Sequence, residues 1–118
     1  MKEQLEKLLK KYPDVLFAYL FGSYARGDAI ERSDVDVAVY LVDPSFDNRL
    51  RLHHDLAVAL NREVDIVVLN DVKNMYLLKD ILDEGVVVKE SDERDFFEVK
   101  KYHEILDFLA FKRLYDVA

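Results

Sequence analysis

The stretch LFGSYARGDAIERSDVDVAVYL, residues 20–41, decides how the rest of the chain is read. An apolar run over residues 15–21 leads into Gly22 and Ser23, so the turn stands at the carboxyl end of a strand. A helix that starts there leaves its first backbone N–H groups unpaired, and such a start attracts phosphate. Gly22 lets the backbone approach an anion closely, Ser23 adds a hydroxyl donor, and Arg26 or Gly27 extends the contact by one turn.

The second half of the stretch sets Asp34 and Asp36 in alternation with Val35, Val37 and Val39, so the two acids share one face of a strand and the valines face a core. Two carboxylates at adjacent same-face positions repel each other unless a cation sits between them. A third acid follows in the run EVDIVVL, residues 63–69, where Val64, Ile66 and Val68 point one way and Asp65 the other. If the two strands are neighbours, three carboxylates converge. Aspartate is disfavoured in strands without a specific reason, so three on matching faces downstream of a Gly-Ser turn point to a site rather than to decoration. Oxygen-rich acids beside a phosphate-binding turn suit two Mg²⁺ ions, which clamp the attacking and leaving oxygens of a phosphoryl transfer.

Gly22-Ser23, ten intervening residues, then Asp34-Val35-Asp36 resembles the signature of the DNA polymerase β-like nucleotidyltransferase superfamily. The short chain is similar to its minimal nucleotidyltransferase (MNT) branch, which includes the antitoxins of HEPN-MNT toxin–antitoxin pairs. The resemblance extends over roughly the first three quarters of the chain. It implies that Asp34 and Asp36 hold both metals, while Asp65 ligates the catalytic metal and orients or deprotonates the attacking hydroxyl. Gly22 and Ser23 would hold the outer phosphates, Arg26 would stabilise charge on them, and Ser33 joins the nucleotide-binding candidates. It also implies ATP as donor and a tyrosine hydroxyl on a HEPN ribonuclease toxin as acceptor, so that AMP addition silences the toxin. HEPN proteins carry an Arg-x4-6-His motif; Arg94 and His103 are too far apart to match it, so the chain resembles the antitoxin and not the toxin. Two other readings stay open: an antitoxin that masks its toxin without chemistry, and a transferase acting on a small molecule.

With 118 residues and 51% hydrophobic content the chain is long enough for one domain, residues 1–118, with a real core. A formal net charge of -7 works against stable nucleic-acid binding, because a phosphate backbone is attracted chiefly by Lys and Arg. There is no cysteine, hence no disulfide framework, zinc-thiolate site or thiol nucleophile. Neither a membrane span nor the apolar core of a secretory signal is legible, so a cytoplasmic location is expected.

The remaining elements follow from periodicity. Leu5, Leu8 and Leu9 predict a helix over residues 2–11, ended by Pro13. Residues 46–60 form a second helix, with Leu52, Leu56, Ala59 and Leu60 on its buried stripe and Asn61 as its cap. Arg49 and Arg51 on this helix could lean toward a triphosphate or a partner; His53 and His54 read as surface or packing residues. Residues 74–83 make a helix with Leu77, Leu78, Ile81 and Leu82 inward and Gly85 as its stop, and residues 86–89 a short last strand.

Ser91 or Asp92 then caps a long helix to about residue 115, whose aromatics and aliphatics occupy more than one face. Residues 92–118 are therefore expected to serve association with a partner or with a second copy as a homo-oligomer. The order of elements indicates an α/β (α+β) domain: a nucleotidyltransferase-like mixed sheet with flanking helices, mostly on one face, and a long C-terminal helix.

Overall fold

Strand-forming Val, Phe, Tyr and Leu dominate four short segments, and the computed structural model, which describes residues 1–115, joins them in one mixed sheet. The strands are β1 (Val15–Phe21), β2 (Val35–Leu41), β3 (Val64–Val68) and β4 (Val86–Lys89), in the order β3-β2-β1-β4. β1 pairs antiparallel with β2 and β4, and β2 pairs parallel with β3. Parallel neighbours need a long crossover. Helix α3 (Phe46–Leu60) supplies it, beside α1 (Lys2–Leu9), α2 (Ser23–Arg26), α4 (Met75–Glu84) and α5 (Asp92–Tyr115). Residues 116–118 of the expected C-terminal segment lie outside the described residues.

Helices cover both faces of the sheet, not mostly one. Leu5 and Leu9 of α1 and Leu52, Leu56 and Leu60 of α3 pack on Ala18, Leu20, Val35, Val37 and Val39. Opposite them, Leu78, Ile81 and Leu82 of α4 and Phe97 and Ile105 of α5 pack on Phe17, Tyr19 and Ala38. The reason lies in β1, which carries large apolar side chains on alternate positions of both faces. Phe17 stacks on Tyr40 with ring centroids 5.2 Å apart, and Phe97 closes over both rings. Tyr19 is buried, and its hydroxyl donates to Glu98 at 2.6 Å, tying α5 to β1.

Helix boundaries follow local chemistry. Ser45 caps α3 by accepting from the Asn48 N–H, and Asn61 ends it in the left-handed conformation (φ 52°). Asn74 caps α4 by accepting from the N–H groups of Tyr76 and Leu77. Two expectations are corrected. Ala59 faces solvent and Ala57 packs instead, since the buried row runs at intervals of four through Leu52, Leu56 and Leu60. Gly85 is the stop of α4 as expected; its backbone is extended, and glycine is required because a Cβ would stand 2.2 Å from the Ile81 carbonyl oxygen. The Ser91 hydroxyl is buried with no hydrogen-bond partner among the described residues, so it does not cap α5.

Among the described residues no helix is long and apolar enough to cross a membrane.

Candidate active site

β2 and β3 run parallel in a register that sets Asp36 opposite Asp65. Register partners on neighbouring strands project to the same face, so the two carboxylates are side by side. On the other flank of β2, Asp36 is opposite Phe21, the last residue of β1 before the Gly22 turn. Gly22 has φ 72° and ψ -150°, a region open essentially to glycine alone. The space above its α-carbon is filled by Asp36, whose Oδ2 would lie 2.1 Å from a Cβ at this position. The turn and Asp36 are thus in direct contact.

Burial and the nearby Asp65 and Asp34 carboxylates raise the pKa of Asp36, while Arg26 pulls it back down. Asp65, Asp34 and Arg26 thus all lie close enough to act on Asp36. Asp36 is half-buried; Asp34, just before β2, and Asp65 are exposed. Ser23 opens α2, whose first backbone bonds run from the N–H groups of Ala25 and Arg26 to the Gly22 carbonyl, each at 3.1 Å. Arg26 also pairs loosely with Asp28 at 3.3 Å. Ser33 closes a turn in the loop ahead of Asp34: its hydroxyl accepts from the Ile30 N–H at 2.8 Å.

Arg62 escaped sequence reasoning, and His53, read as a surface or packing residue, is one that packs beside the site. Arg62, between α3 and β3, donates to the Glu31 carbonyl at 2.7 Å and lies over the Tyr24 ring at 5.8 Å, clamping the loop that leads to Asp34. His53 donates from Nε2 to the Val64 carbonyl at 2.7 Å, next to Asp65. Neither spacing had a motif to betray it, since both contacts join residues brought together by the crossover. Arg49 is not near the acids. It pairs with Asp71 at 2.7 Å and with the Pro44 carbonyl at 2.6 Å, beyond the carboxyl ends of β2 and β3, whereas the acids stand at the amino ends. Arg51 borders a small cavity with Tyr12 and Asp14.

Among the described residues no three His, Cys, Asp or Glu side chains form a ready-made metal cage. Mg²⁺ does not call for one, because it is held through one or two carboxylates together with water and substrate phosphates. An all-oxygen donor set with an unneutralised acid pair fits that ion.

A mixed sheet that sets Asp36 beside Asp65 and presses it against the Gly22 turn is an arrangement suited to nucleotidyl transfer. The family model described as "Polymerase beta, Nucleotidyltransferase" matches residues 3–94, and the chain belongs to this family. A Methanocaldococcus jannaschii protein provisionally named a protein adenylyltransferase is 36% identical over 86 residues, which span 70% of this chain and 86% of that one. Protein adenylyltransferase MntA of Shewanella oneidensis is 36% identical over 87 residues, 71% of this chain and 61% of MntA. A crystal structure of a toxin–antitoxin with AMP-PNP superposes with a TM-score of 0.81 and 28% identity, covering 96% of this chain and 93% of that one. The structure of a tri-AMPylated Shewanella oneidensis HEPN toxin in complex with MNT antitoxin gives 0.74 and 26%, covering 97% and 94%. The chain is a nucleotidyltransferase and takes a nucleotide substrate.

Proposed function

We propose that this chain is the antitoxin of a HEPN-MNT pair and transfers AMP from ATP to a tyrosine hydroxyl of its cognate HEPN toxin, neutralising it. The observation that carries this reading is the contact of Gly22 with Asp36, which in turn is the register partner of Asp65. Likeness to MntA and to toxin–antitoxin complexes, one with AMP-PNP and one with an AMPylated toxin, supports the donor, the acceptor class and the partner. A donor of this kind fits a cytoplasmic location, where ATP is made and used.

Two Mg²⁺ ions, held by Asp34, Asp36 and Asp65, would supply neutralisation of phosphate charge and activation of the attacking oxygen. Gly22 and the backbone at Ser23 receive the outer phosphates, with the Ser23 hydroxyl as a further donor. Arg26, in the last turn of α2, acts on the charge of Asp36 and would stabilise charge on the outer phosphates. Ser33 contributes by shaping the loop that delivers Asp34. Asp65 orients the phenol and accepts its proton directly or through water. The tyrosine oxygen forms a bond to the α-phosphorus as the α–β bridging bond breaks, and pyrophosphate leaves with that electron pair. Positioning and charge stabilisation provide the rate, and no covalent enzyme intermediate is needed.

The test is incubation of the purified chain with α-labelled ATP, Mg²⁺ and its cognate HEPN toxin. Label on a toxin tyrosine, lost in Asp36→Asn, is the expected result. Stable association without label would favour masking, and label appearing on a small molecule with no protein present would favour the metabolite transferase.

A further inference from the structure

Asp36 and Asp65 are register partners, yet their strands are held differently. β2 lies between β1 and β3, so Asp36 has Phe21 opposite it on one flank and Asp65 on the other. β3 is an edge of the sheet. The Val35 N–H donates to the Glu63 carbonyl at 3.0 Å and the Leu69 N–H to the Val39 carbonyl at 2.8 Å. These two bonds fix the alternation: residues 63, 65, 67 and 69 turn their backbone groups toward β2, and Val64, Ile66 and Val68 turn theirs away from the sheet. An edge strand opens most readily at its ends, and Asp65 is the second residue of a five-residue strand.

One of the outward groups is taken. His53 of α3 donates from Nε2 to the Val64 carbonyl at 2.7 Å. That carbonyl and the Asp65 N–H belong to one planar peptide unit, whose N–H side faces β2. His53 therefore holds from outside the same peptide that β2 holds from inside, at the residue from which the Asp65 carboxylate projects. The contact is polar and not a matter of filling the core: Leu52 and Leu56 of α3 are buried, whereas His53 is exposed. The same crossover backs the other flanking acid, since Arg62, two residues past α3, donates to the Glu31 carbonyl three residues ahead of Asp34.

We propose that His53 is a positioning residue for the transfer reaction: through the Val64 carbonyl it fixes the backbone of Asp65, and so the place of that carboxylate beside Asp36 when metal is held. This rests on the reading of Asp34, Asp36 and Asp65 as the metal-holding acids. Gly22 and Ser23 lie across β2 from β3, so reception of the outer phosphates does not depend on His53. Loss of the bond then weakens metal binding and slows the step that uses Asp65, with little change in the binding of ATP.

The test sets His53→Leu, which removes the donor, beside His53→Gln, whose amide nitrogen can donate in place of Nε2. Leucine is a strong helix former, and His53→Ala repeats the deletion independently with another. Binding of Mn²⁺, the probe used in place of Mg²⁺, is titrated on the full chain without nucleotide by electron paramagnetic resonance, and AMP transfer to the cognate HEPN toxin is measured in parallel. We expect Mn²⁺ binding and kcat each to fall roughly tenfold in His53→Leu and His53→Ala, with KM for ATP within about twofold and most of the loss recovered in His53→Gln. Wild-type Mn²⁺ affinity and kcat in the two deletions would overturn the proposal. So would a His53→Gln chain as impaired as His53→Leu, which would assign the effect to the shape of the ring. Asp65→Asn separates the proposal from the reading beneath it. If that variant binds Mn²⁺ as the wild type does, the metal is not held there and the role of His53 falls with it. Mn²⁺ binding weakened in Asp65→Asn but unchanged in His53→Leu removes the role of His53 alone.

Discussion

The carboxylate of Asp36 rests on the α-carbon of Gly22, where a Cβ would stand 2.1 Å from Oδ2 and 3.0 Å from Cγ. Gly22→Ala therefore displaces the acid as well as straining the turn. We expect it to lower stability by about 1–3 kcal/mol and to abolish transfer. Gly27 is the control: it too has a positive φ, 81°, but nothing lies within 4 Å of a Cβ there. Gly27→Ala should cost about 1–2 kcal/mol in a denaturant melt and leave transfer largely intact.

Asp36 is pushed above the usual carboxylate range, first by burial and then by Asp65 and Asp34. In metal-free protein the folded state thus holds the Asp36 proton to higher pH than the unfolded state does. Its contribution to stability is complete below the unfolded pKa and is lost as pH rises through the folded one. Thermal midpoints in chelator, followed from about pH 4 to neutrality, should show this decline in the wild type and a weaker one in Asp36→Asn. Adding Mg²⁺ at neutral pH should raise the wild-type midpoint more than that of the variant.

Arg62 holds the loop ahead of Asp34 through the Glu31 carbonyl and the Tyr24 ring. Arg62→Ala should reduce kcat by roughly tenfold while costing only about 1 kcal/mol of stability, because the contacts are half-exposed and serve placement. Arg62→Lys keeps the charge but not the planar group, and should restore activity in part. Steady-state kinetics beside a denaturant melt separates the two effects.

Lys89 of β4 donates from Nζ to the carbonyls of Leu9 and Tyr12, at 3.0 and 2.7 Å, closing the end of α1. Burial lowers its pKa, and the two bonds give a second, charged donor to carbonyls that also accept from the Tyr12 and Val15 N–H groups. Lys89→Met preserves the stem and removes the donors. A loss of about 1.5–3 kcal/mol is expected in chemical denaturation, with nucleotide transfer by the folded fraction unchanged.

Much of the site was legible before any coordinates. Alternation alone predicted that Asp34 and Asp36 share a face, and the observed register of β2 with β3 sets Asp65 beside Asp36. The positions of Gly22 and Asn61 were also readable, since each acts on backbone within a few residues of itself. Arg62 and His53 were not, because their partners, Glu31, Tyr24 and Val64, are 11 to 38 positions away and no pattern of residue types marks such contacts.

Side-chain periodicity and turn chemistry were thus sufficient for the order of strands and helices and for which face of β2 bears the acids, because both are short-range properties of the backbone. Long-range packing decided the rest. β1 presents Phe17 and Tyr19 to one layer and Ala18 and Leu20 to another, so helices close over both faces. That second layer is what brings α5 over the acid-bearing face and leaves Phe96 and Leu106 turned outward. A helix with apolar residues all round cannot reveal which row it will bury until the surface beneath it exists.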